Sequence, residues 1–195
     1  MEQAFTTKRT TWNGKVDERV LDRLFEGKAI RTISRNDLFS KCPIEDFVYL
    51  VIFWGYPRGM RGSLNDKNIF SKIEEIMSIV NIPERGKFAE EELQTILKKL
   101  SDIPGLGIST ISKLLYFRTH KYGDYDALIL DERLLRIFNN KIFEEFSELR
   151  NFRYDNACSK YLDYLKTMRQ TALQLNVSPE KLEMFLFIFG NNMKS

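Results

Sequence analysis

The chain has 195 residues, of which 43% are hydrophobic and 29% are charged, a composition typical of globular proteins. This length supports one well-buried domain or two lobes that share a core, and we predict a single domain over residues 1–195. Two cysteines are too few for a disulfide framework, and no Cys/His cluster has the spacing of zinc ligands. The few cysteines fit a reducing, cytoplasmic setting. The longest apolar run, residues 47–54, is too short to cross a bilayer, so we expect no membrane partner.

The N-terminal half is predicted to be an extended arm followed by helices. Residues 1–15 are polar and rich in threonine, which indicates an arm, with Trp12 packed against the body of the protein. Apolar residues at helical spacing predict a helix over residues 16–26 and a further helix from Ser63 to about Val80. The continuous apolar run within residues 44–54 fits a buried helix or a strand, and we favour the helix because no hairpin partner with strand alternation follows.

A glycine-rich loop at residues 55–62 separates two of these predicted helices. It contains three glycines, one proline and two cations, Arg58 and Arg61. A loop of this kind can simply connect two helices. In a DNA-binding protein, the arginines would contact phosphates, and Tyr56 or Met60 would fill the gap that a flipped base leaves. Both interpretations stay open.

The most informative stretch is a hairpin with two glycines between two predicted helices. Residues 88–100 carry apolar side chains on one face, and a second apolar-periodic segment begins at Ile108. Between them lies Ile103-Pro104-Gly105-Leu106-Gly107, in which glycine permits a tight turn and the close approach of another molecule. Residues 88–119 therefore form a predicted helix–hairpin–helix unit.

Positive charge is concentrated at this unit, although the whole chain carries only +3. Between Lys98 and Tyr122 the local net charge is +4, from Lys98, Lys99, Lys113, Arg118 and Lys121 against Asp102. Cations beside the exposed N–H groups of a helix N-terminus are suited to bind phosphate. The candidate DNA contacts here are Lys98, Gly105, Leu106, Gly107 and Ser109.

Beyond the hairpin, the chain is predicted to remain helical. Apolar periodicity predicts helices over residues 132–138, 142–149, 154–175 and 181–189. Ser178 and Pro179 have the residue types of an N-cap and a first helical position, which marks the start of the last helix.

The hairpin and a later segment together resemble a known family. Leu130-Asp131-Glu132-Arg133-Leu134-Leu135-Arg136 follows the hairpin by roughly twenty residues. The pair resembles the helix-hairpin-helix DNA glycosylase superfamily, with its L-P-G-V-G hairpin and V-D-x-H-V-x-R segment, and most closely small bacterial proteins with the 8-oxoguanine DNA glycosylase fold. Asp131 and Arg136 stand at the aspartate and arginine of this signature, and Arg133 replaces its histidine. The close match covers residues 93–138. It implies an all-α, multi-helix fold with a cleft between helical lobes, and makes Arg136 a candidate DNA contact.

Asp131 and Lys113 are the candidate catalytic residues that this resemblance implies. A carboxylate near C1′ of the sugar stabilises the positive charge that develops as an N-glycosidic bond breaks, and it can activate the nucleophile. Asp131 is equally suited to cap a helix that begins at Glu132, and the two roles are compatible. The family places a nucleophilic lysine two residues after the second hairpin glycine, where this chain has Ser109. Lys113, one turn later on the same helix face, is either the substitute amine or a lysine that contacts phosphate.

The resemblance also implies a base pocket and a cation site. Glu183 and Phe187, on the last predicted helix, are candidates to hydrogen-bond and stack on a flipped base, although an aromatic stripe at helical spacing is more often core. Members of the family often bind a monovalent cation through hairpin carbonyls, here residues 103–107. We expect no side-chain metal site and no other cofactor.

The activity that the resemblance implies is that of a monomeric DNA glycosylase acting on double-stranded DNA. It would flip out a damaged or modified base, with an 8-oxoguanine-type purine as the family-based substrate, and cleave its N-glycosidic bond. Lys113 would add AP-lyase activity. The serine at the family's lysine position equally fits a catalytically inactive helix-hairpin-helix DNA-binding protein. A partner-binding helical domain, in which the glycines only turn the chain, is the third alternative.

Overall fold

The structure, a computed structural model, describes residues 3–39, 42–60, 63–81, 87–140 and 142–193, and the side chains of these residues except 63–66. Most of the described chain is helical, which confirms the predominantly α-helical fold. The residues group into two compact units, Met1–Ile82 with Asp102–Leu106, and Pro83–Ser101 with Gly107–Ser195. The single domain expected for residues 1–195 stays a prediction.

The first unit combines helices with a two-stranded sheet. In chain order it contains β1 (Ala4–Lys8), α1 (Glu18–Phe25), β2 (Ile30–Ser34), α2 (Arg35–Phe39), α3 (Ile44–Gly55), α4 (Ser63–Ser71) and α5 (Ile73–Val80). A short 3-10 turn, Arg9–Thr11, follows β1. The core of this unit is built on α3, whose residues from Phe47 to Trp54 are all buried.

The predicted N-terminal arm is part of this sheet. β1 pairs antiparallel with β2 in a register that sets Phe5 opposite Ile33. The Phe5 ring packs edge-on against Trp54, with 5.1 Å between ring centroids, so the strand is held by packing as well as by backbone hydrogen bonds. Trp12 is fully buried and stacks on Phe53 at 4.3 Å, as the sequence predicted.

The single helix predicted from Ser63 to Val80 is two helices. The break is at Lys72, whose φ of −112° and ψ of 16° lie outside the helical range. Ile69 on α4 and Ile76 and Val80 on α5 are all fully buried. The apolar spacing was therefore a correct indicator of burial, although it did not reveal the break.

The second unit is almost entirely helical. It contains β3 (Lys87–Phe88), α6 (Glu90–Ser101), α7 (Ile108–Phe117), β4 (Lys121–Tyr122), β5 (Tyr125–Asp126), α8 (Glu132–Asn139), α9 (Tyr161–Gln174) and α10 (Pro179–Phe189). Short 3-10 segments, Glu144–Leu149 and Gly190–Asn192, lie after α8 and α10. The three short strands form a sheet of order β3-β4-β5, parallel at the first pairing and antiparallel at the second.

Two helix boundaries in this unit differ from prediction, and a third agrees with it. α9 begins at Tyr161 rather than at residue 154, because Asn156 closes a loop by accepting from Arg153 N at 2.8 Å and donating to Asn151 O at 3.1 Å. The segment predicted as a helix over 142–149 is the 3-10 segment Glu144–Leu149. Ser178 does cap α10, accepting from Lys181 N at 3.3 Å. No helix in the described part of the chain is both long and apolar enough to cross a membrane.

Candidate functional site

The hairpin contains a tight turn from Ile103 to Leu106. Leu106 N donates to Ile103 O at 3.1 Å, and Gly105 between them has a φ of +87°. A positive φ at the third residue of such a turn favours glycine, and proline suits the second residue because its ring presets φ. The Pro104-Gly105 pair thus produces this turn, and the side chains of Ile103 and Leu106 are buried.

Gly107 is the N-cap of α7, the second helix of the unit. Its carbonyl accepts from Thr110 N at 2.9 Å and Ile111 N at 3.1 Å. A Cβ atom at residue 107 would lie 2.5 Å from Cε1 and Oη of Tyr154, so a larger residue here requires the tyrosine ring, which packs on the backbone, to move. Tyr154 is 49% exposed at this helix start, and its contact with Gly107 is one that sequence reasoning missed.

The surface charge beside the hairpin is lower than the sequence count suggested. Lys113 and Arg118 are buried, with 6% and 8% of their surfaces exposed. Lys121 is exposed and pairs with Asp126 at 3.0 Å. Lys98, on the last turn of α6, is exposed, and its contact with DNA stays a prediction.

The Lys113 amine is held by the residue one turn earlier on α7. Nζ donates to the carbonyl oxygen of Ser109 at 2.9 Å and to Ser109 Oγ at 2.6 Å. Ser109 occupies the position at which the resemblance expects a lysine. The amine of Lys113 is therefore placed beside the backbone from which that lysine would extend.

Buried hydroxyl groups hold the segment that leads to Asp131. Tyr161 Oη donates to Leu128 O at 2.5 Å and accepts from Leu128 N at 3.1 Å, and Tyr164 Oη donates to Ile129 O at 2.7 Å. Burial raises the pKa of Tyr161 well above its ordinary value, so this phenol stays protonated and able to donate. We call residues 127–130 the tethered segment. The tyrosine hydroxyls thus satisfy backbone groups of Leu128 and Ile129 that a neighbouring strand would satisfy in a sheet.

Ser112 ties the tethered segment to α7. Its Oγ accepts from Leu130 N at 3.0 Å and lies 3.2 Å from Leu130 O, to which it can donate. Lys113 directly follows Ser112 in the chain, and Asp131 directly follows Leu130. The two candidate catalytic residues are thereby anchored at neighbouring backbone positions within the second unit.

Asp131 is the N-cap of α8, as one of its two predicted roles required. Oδ1 accepts from Leu134 N at 3.1 Å, and the carbonyl oxygen accepts from Leu135 N at 3.0 Å. The carboxylate is half-buried and one of its oxygens is oriented by the helix. A second oxygen on the same group can still interact with a substrate.

The remaining candidates on α8 and α10 have defined surroundings. Arg136 is exposed and pairs with Glu132 at 3.1 Å. Glu183 is fully buried, and Phe187 is half-buried. The Arg133 guanidinium lies 4.6 Å from the centroid of the Phe187 ring and donates to Phe187 O at 2.9 Å, so the arginine that replaces the family's histidine joins α8 to α10.

Three further expectations concern loops. Arg58 is exposed in the loop after α3, whereas Arg61 lies outside the described residues. The carbonyl oxygens of Ile103 and Gly107 both accept backbone N–H groups within the hairpin and the start of α7. The monovalent cation expected at residues 103–107 stays a prediction.

A family model agrees with the resemblance noted in the sequence. The model, described as "Putative 8-oxoguanine DNA glycosylase OGG-like protein", matches residues 1–187. Its span contains the hairpin, Lys113, the tethered segment, Asp131 and most of α10. No curated protein and no solved structure matches the chain.

Proposed function

The chain belongs to the 8-oxoguanine DNA glycosylase OGG-like family, and we propose that it removes a damaged base from double-stranded DNA by cleaving the N-glycosidic bond. The proposed substrate is an 8-oxoguanine-type purine, and the proposed enzyme acts as a cytoplasmic monomer. One observation supports the proposal: Ser112 and Leu130 are hydrogen-bonded, and they directly precede the two candidate catalytic residues, Lys113 and Asp131.

Lys113 is the proposed nucleophile. Its neutral amine attacks C1′ of the deoxyribose, the C1′–N bond breaks, and the base leaves with that electron pair and takes up a proton. The sugar ring then opens to give a Schiff base between Lys113 and C1′, from which elimination of the 3′-phosphate gives AP-lyase activity. The hydrogen bonds of Nζ to Ser109 support this role, because they hold the amine beside the position at which the family has its lysine.

Asp131 is the proposed electrostatic partner of this step. Positive charge develops on the sugar before the new bond is complete, and a carboxylate near C1′ stabilises it. The same carboxylate can take the proton that Lys113 must lose before it attacks. Its N-cap hydrogen bond supports the role by limiting the positions that the carboxylate can adopt.

DNA is proposed to bind at the hairpin and the start of α7. The N–H groups of residues 108 and 109 lie in the first helical turn, where they have no carbonyl of the helix to donate to, so they can donate to a phosphate. Lys98, Gly105, Leu106 and Gly107 complete this contact, with the monovalent cation at residues 103–107. Arg58, Arg61 and Arg136 are the further proposed phosphate contacts.

The base is proposed to bind against α10, through Phe187 and Glu183. Arg133 lies over one face of the Phe187 ring, so a base that stacks on this ring takes the other face or displaces the arginine. Replacing Arg133 by alanine should then change substrate affinity as well as the attachment of α8 to α10.

The test is borohydride trapping on duplexes that carry 8-oxoguanine, an abasic site or no lesion. The wild-type protein should give a covalent adduct on the first two, and Lys113→Arg should give none, since a guanidinium keeps the charge but cannot form the Schiff base. Asp131→Asn should keep the N-cap while slowing base release, because asparagine caps as well as aspartate. Lys28→Arg, at an exposed lysine of the first unit that pairs with Glu26 at 3.6 Å, is the matched control and should leave trapping unchanged.

A catalytically inactive DNA-binding protein is the second candidate, favoured by Ser109 at the family's lysine position. It predicts salt-dependent duplex binding without base release or trapping. If base release occurs without trapping and requires Asp131, the enzyme is a monofunctional glycosylase. Absence of duplex binding at low salt would contradict every nucleic-acid function.

A further inference from the structure

Two oxygen atoms of one residue hold the amine of Lys113. Nζ donates to Ser109 Oγ at 2.6 Å and to Ser109 O at 2.9 Å. The two residues are four positions apart on α7, so their side chains lie on the same face of the helix, one turn from each other. The helix backbone therefore fixes where both acceptors lie relative to the amine.

The two acceptors differ in whether they depend on the side chain of residue 109. Every residue of a helix has a carbonyl oxygen, so Lys113 can bond to that atom whatever residue stands at position 109. Oγ exists only where residue 109 is serine or threonine. The shorter of the two hydrogen bonds thus depends on the side chain that stands where the family has its lysine.

The accessibility of Lys113 makes the direction of its amine important. Lys113 is 6% exposed, whereas Ser109 is half-buried. A sugar can approach a buried amine from only a small part of its surface, so attack requires the lone pair to point in that direction. The flexible four-carbon stem of a lysine does not keep such a direction unless its amine is held.

We propose that Ser109 is the positioning residue of Lys113, an inference that rests on the proposed glycosylase function. A neutral amine has two N–H groups and one lone pair. When both N–H groups donate to Ser109, the lone pair points away from the two oxygens and its direction is fixed for attack on C1′. The backbone N–H of Ser109 has the separate role of donating to a DNA phosphate.

The test measures Schiff-base formation on a duplex with an abasic site, a reaction that needs no base release. The aldehyde carbon of the open sugar bonds to the Lys113 amine, water leaves, and borohydride reduces the imine to a stable adduct. At saturating protein, Ser109→Ala should slow this step by roughly 10- to 100-fold, because the amine keeps only the carbonyl acceptor. Alanine keeps the backbone N–H, so affinity for a duplex with a tetrahydrofuran abasic analogue should stay within about twofold of wild type.

Two further variants separate positioning from a general effect on the structure. Ser109→Thr restores a hydroxyl on the same carbon and should recover the rate to within about threefold of wild type. Ser78→Ala is the matched control, because Ser78 is an exposed helical serine on α5 whose hydroxyl donates to Glu75 O at 2.8 Å. It should change neither the rate of adduct formation nor the affinity for the duplex.

The outcomes distinguish this inference from the proposed function. The positioning role is overturned if Ser109→Ala forms the adduct as fast as Ser78→Ala, or if Ser109→Thr is as slow as Ser109→Ala. In either case, an adduct that still requires Lys113 leaves the proposed nucleophile in place. A wild-type protein that forms no adduct on the abasic duplex contradicts the nucleophilic role of Lys113, and the role of Ser109 with it.

Discussion

Replacing Ser112 by alanine should reveal how strongly the tethered segment is held. Ser112 is fully buried, and its hydroxyl is the partner of both Leu130 N and Leu130 O. Alanine removes that hydroxyl without adding volume, so it leaves a buried N–H group unsatisfied at a cost of about 1–3 kcal/mol. For a chain of this length, each kcal/mol lowers Tm by about 2–4 °C, which gives a decrease of roughly 2–12 °C.

The same substitution should affect catalysis more than stability alone would. Asp131 directly follows Leu130, and displacement of a catalytic group by about 1 Å can lower the rate by about 100-fold. Urea unfolding measures the first effect, and single-turnover base release at a temperature where the variant is fully folded measures the second. Ser101→Ala is the control, because Ser101 is exposed and donates to Lys98 O at 2.9 Å.

Ser101→Ala should lower the free energy of unfolding by no more than about 0.5 kcal/mol, as for most surface substitutions. A Ser112→Ala variant that loses no more stability than Ser101→Ala would refute the argument that this hydroxyl holds the segment. Unchanged base release in a destabilised Ser112→Ala variant would refute the link from Leu130 to Asp131.

Three further predictions concern other parts of the second unit. Gly107→Ala should destabilise the protein by about 1–3 kcal/mol by displacing the ring of Tyr154, and Tyr154→Ala should relieve much of this loss in a double-mutant cycle measured by urea unfolding. Tyr161→Phe should lower the free energy of unfolding by about 1–3 kcal/mol, because both backbone groups of Leu128 lose their partner, and faster hydrogen exchange of the Leu128 amide would report it. Burial, and to a smaller extent the nearby Arg118, lowers the pKa of His120 from 6.5 to about 4. Between pH 4 and pH 6.5, unfolded chains therefore bind more protons than folded ones. The free energy of unfolding should reach its full value above about pH 6.5 and fall by up to about 3 kcal/mol towards pH 4, and His120→Gln should remove this loss.

The parts of the site predicted from sequence are those that depend on local residue pattern. Pro104 and Gly105 indicated the turn, since each residue type suits one turn position. Asp131 was identified as an N-cap because a short acidic side chain before an amphipathic segment is the usual signal. The apolar spacing from Ile108 onward predicted α7, whose first residue is Ile108.

The parts that were missed depend on residues far apart in the sequence. The hydrogen bonds from Tyr161 and Tyr164 to residues 128 and 129 cross more than thirty positions, and nothing in the local pattern of α9 indicates them. Burial of Lys113 and Arg118 has the same origin, because a count of charges along the chain does not distinguish the faces of a helix. The pairing of β1 with β2 was also missed, since a polar, threonine-rich segment has little apolar alternation.

The hydroxyl groups around the tethered segment have a consequence for how a substrate would be accommodated. Ser112, Tyr161 and Tyr164 belong to two helices, so any displacement of the chain before Asp131 must break hydrogen bonds to α7 or α9. Each of these bonds is buried, and water cannot replace it without opening the core. This part of the protein should therefore behave as a stiff support rather than an adaptable loop. In the proposed glycosylase, the distortion needed to bring a sugar to the carboxylate would then fall on the duplex, and sequences or lesions that weaken base stacking should be processed fastest.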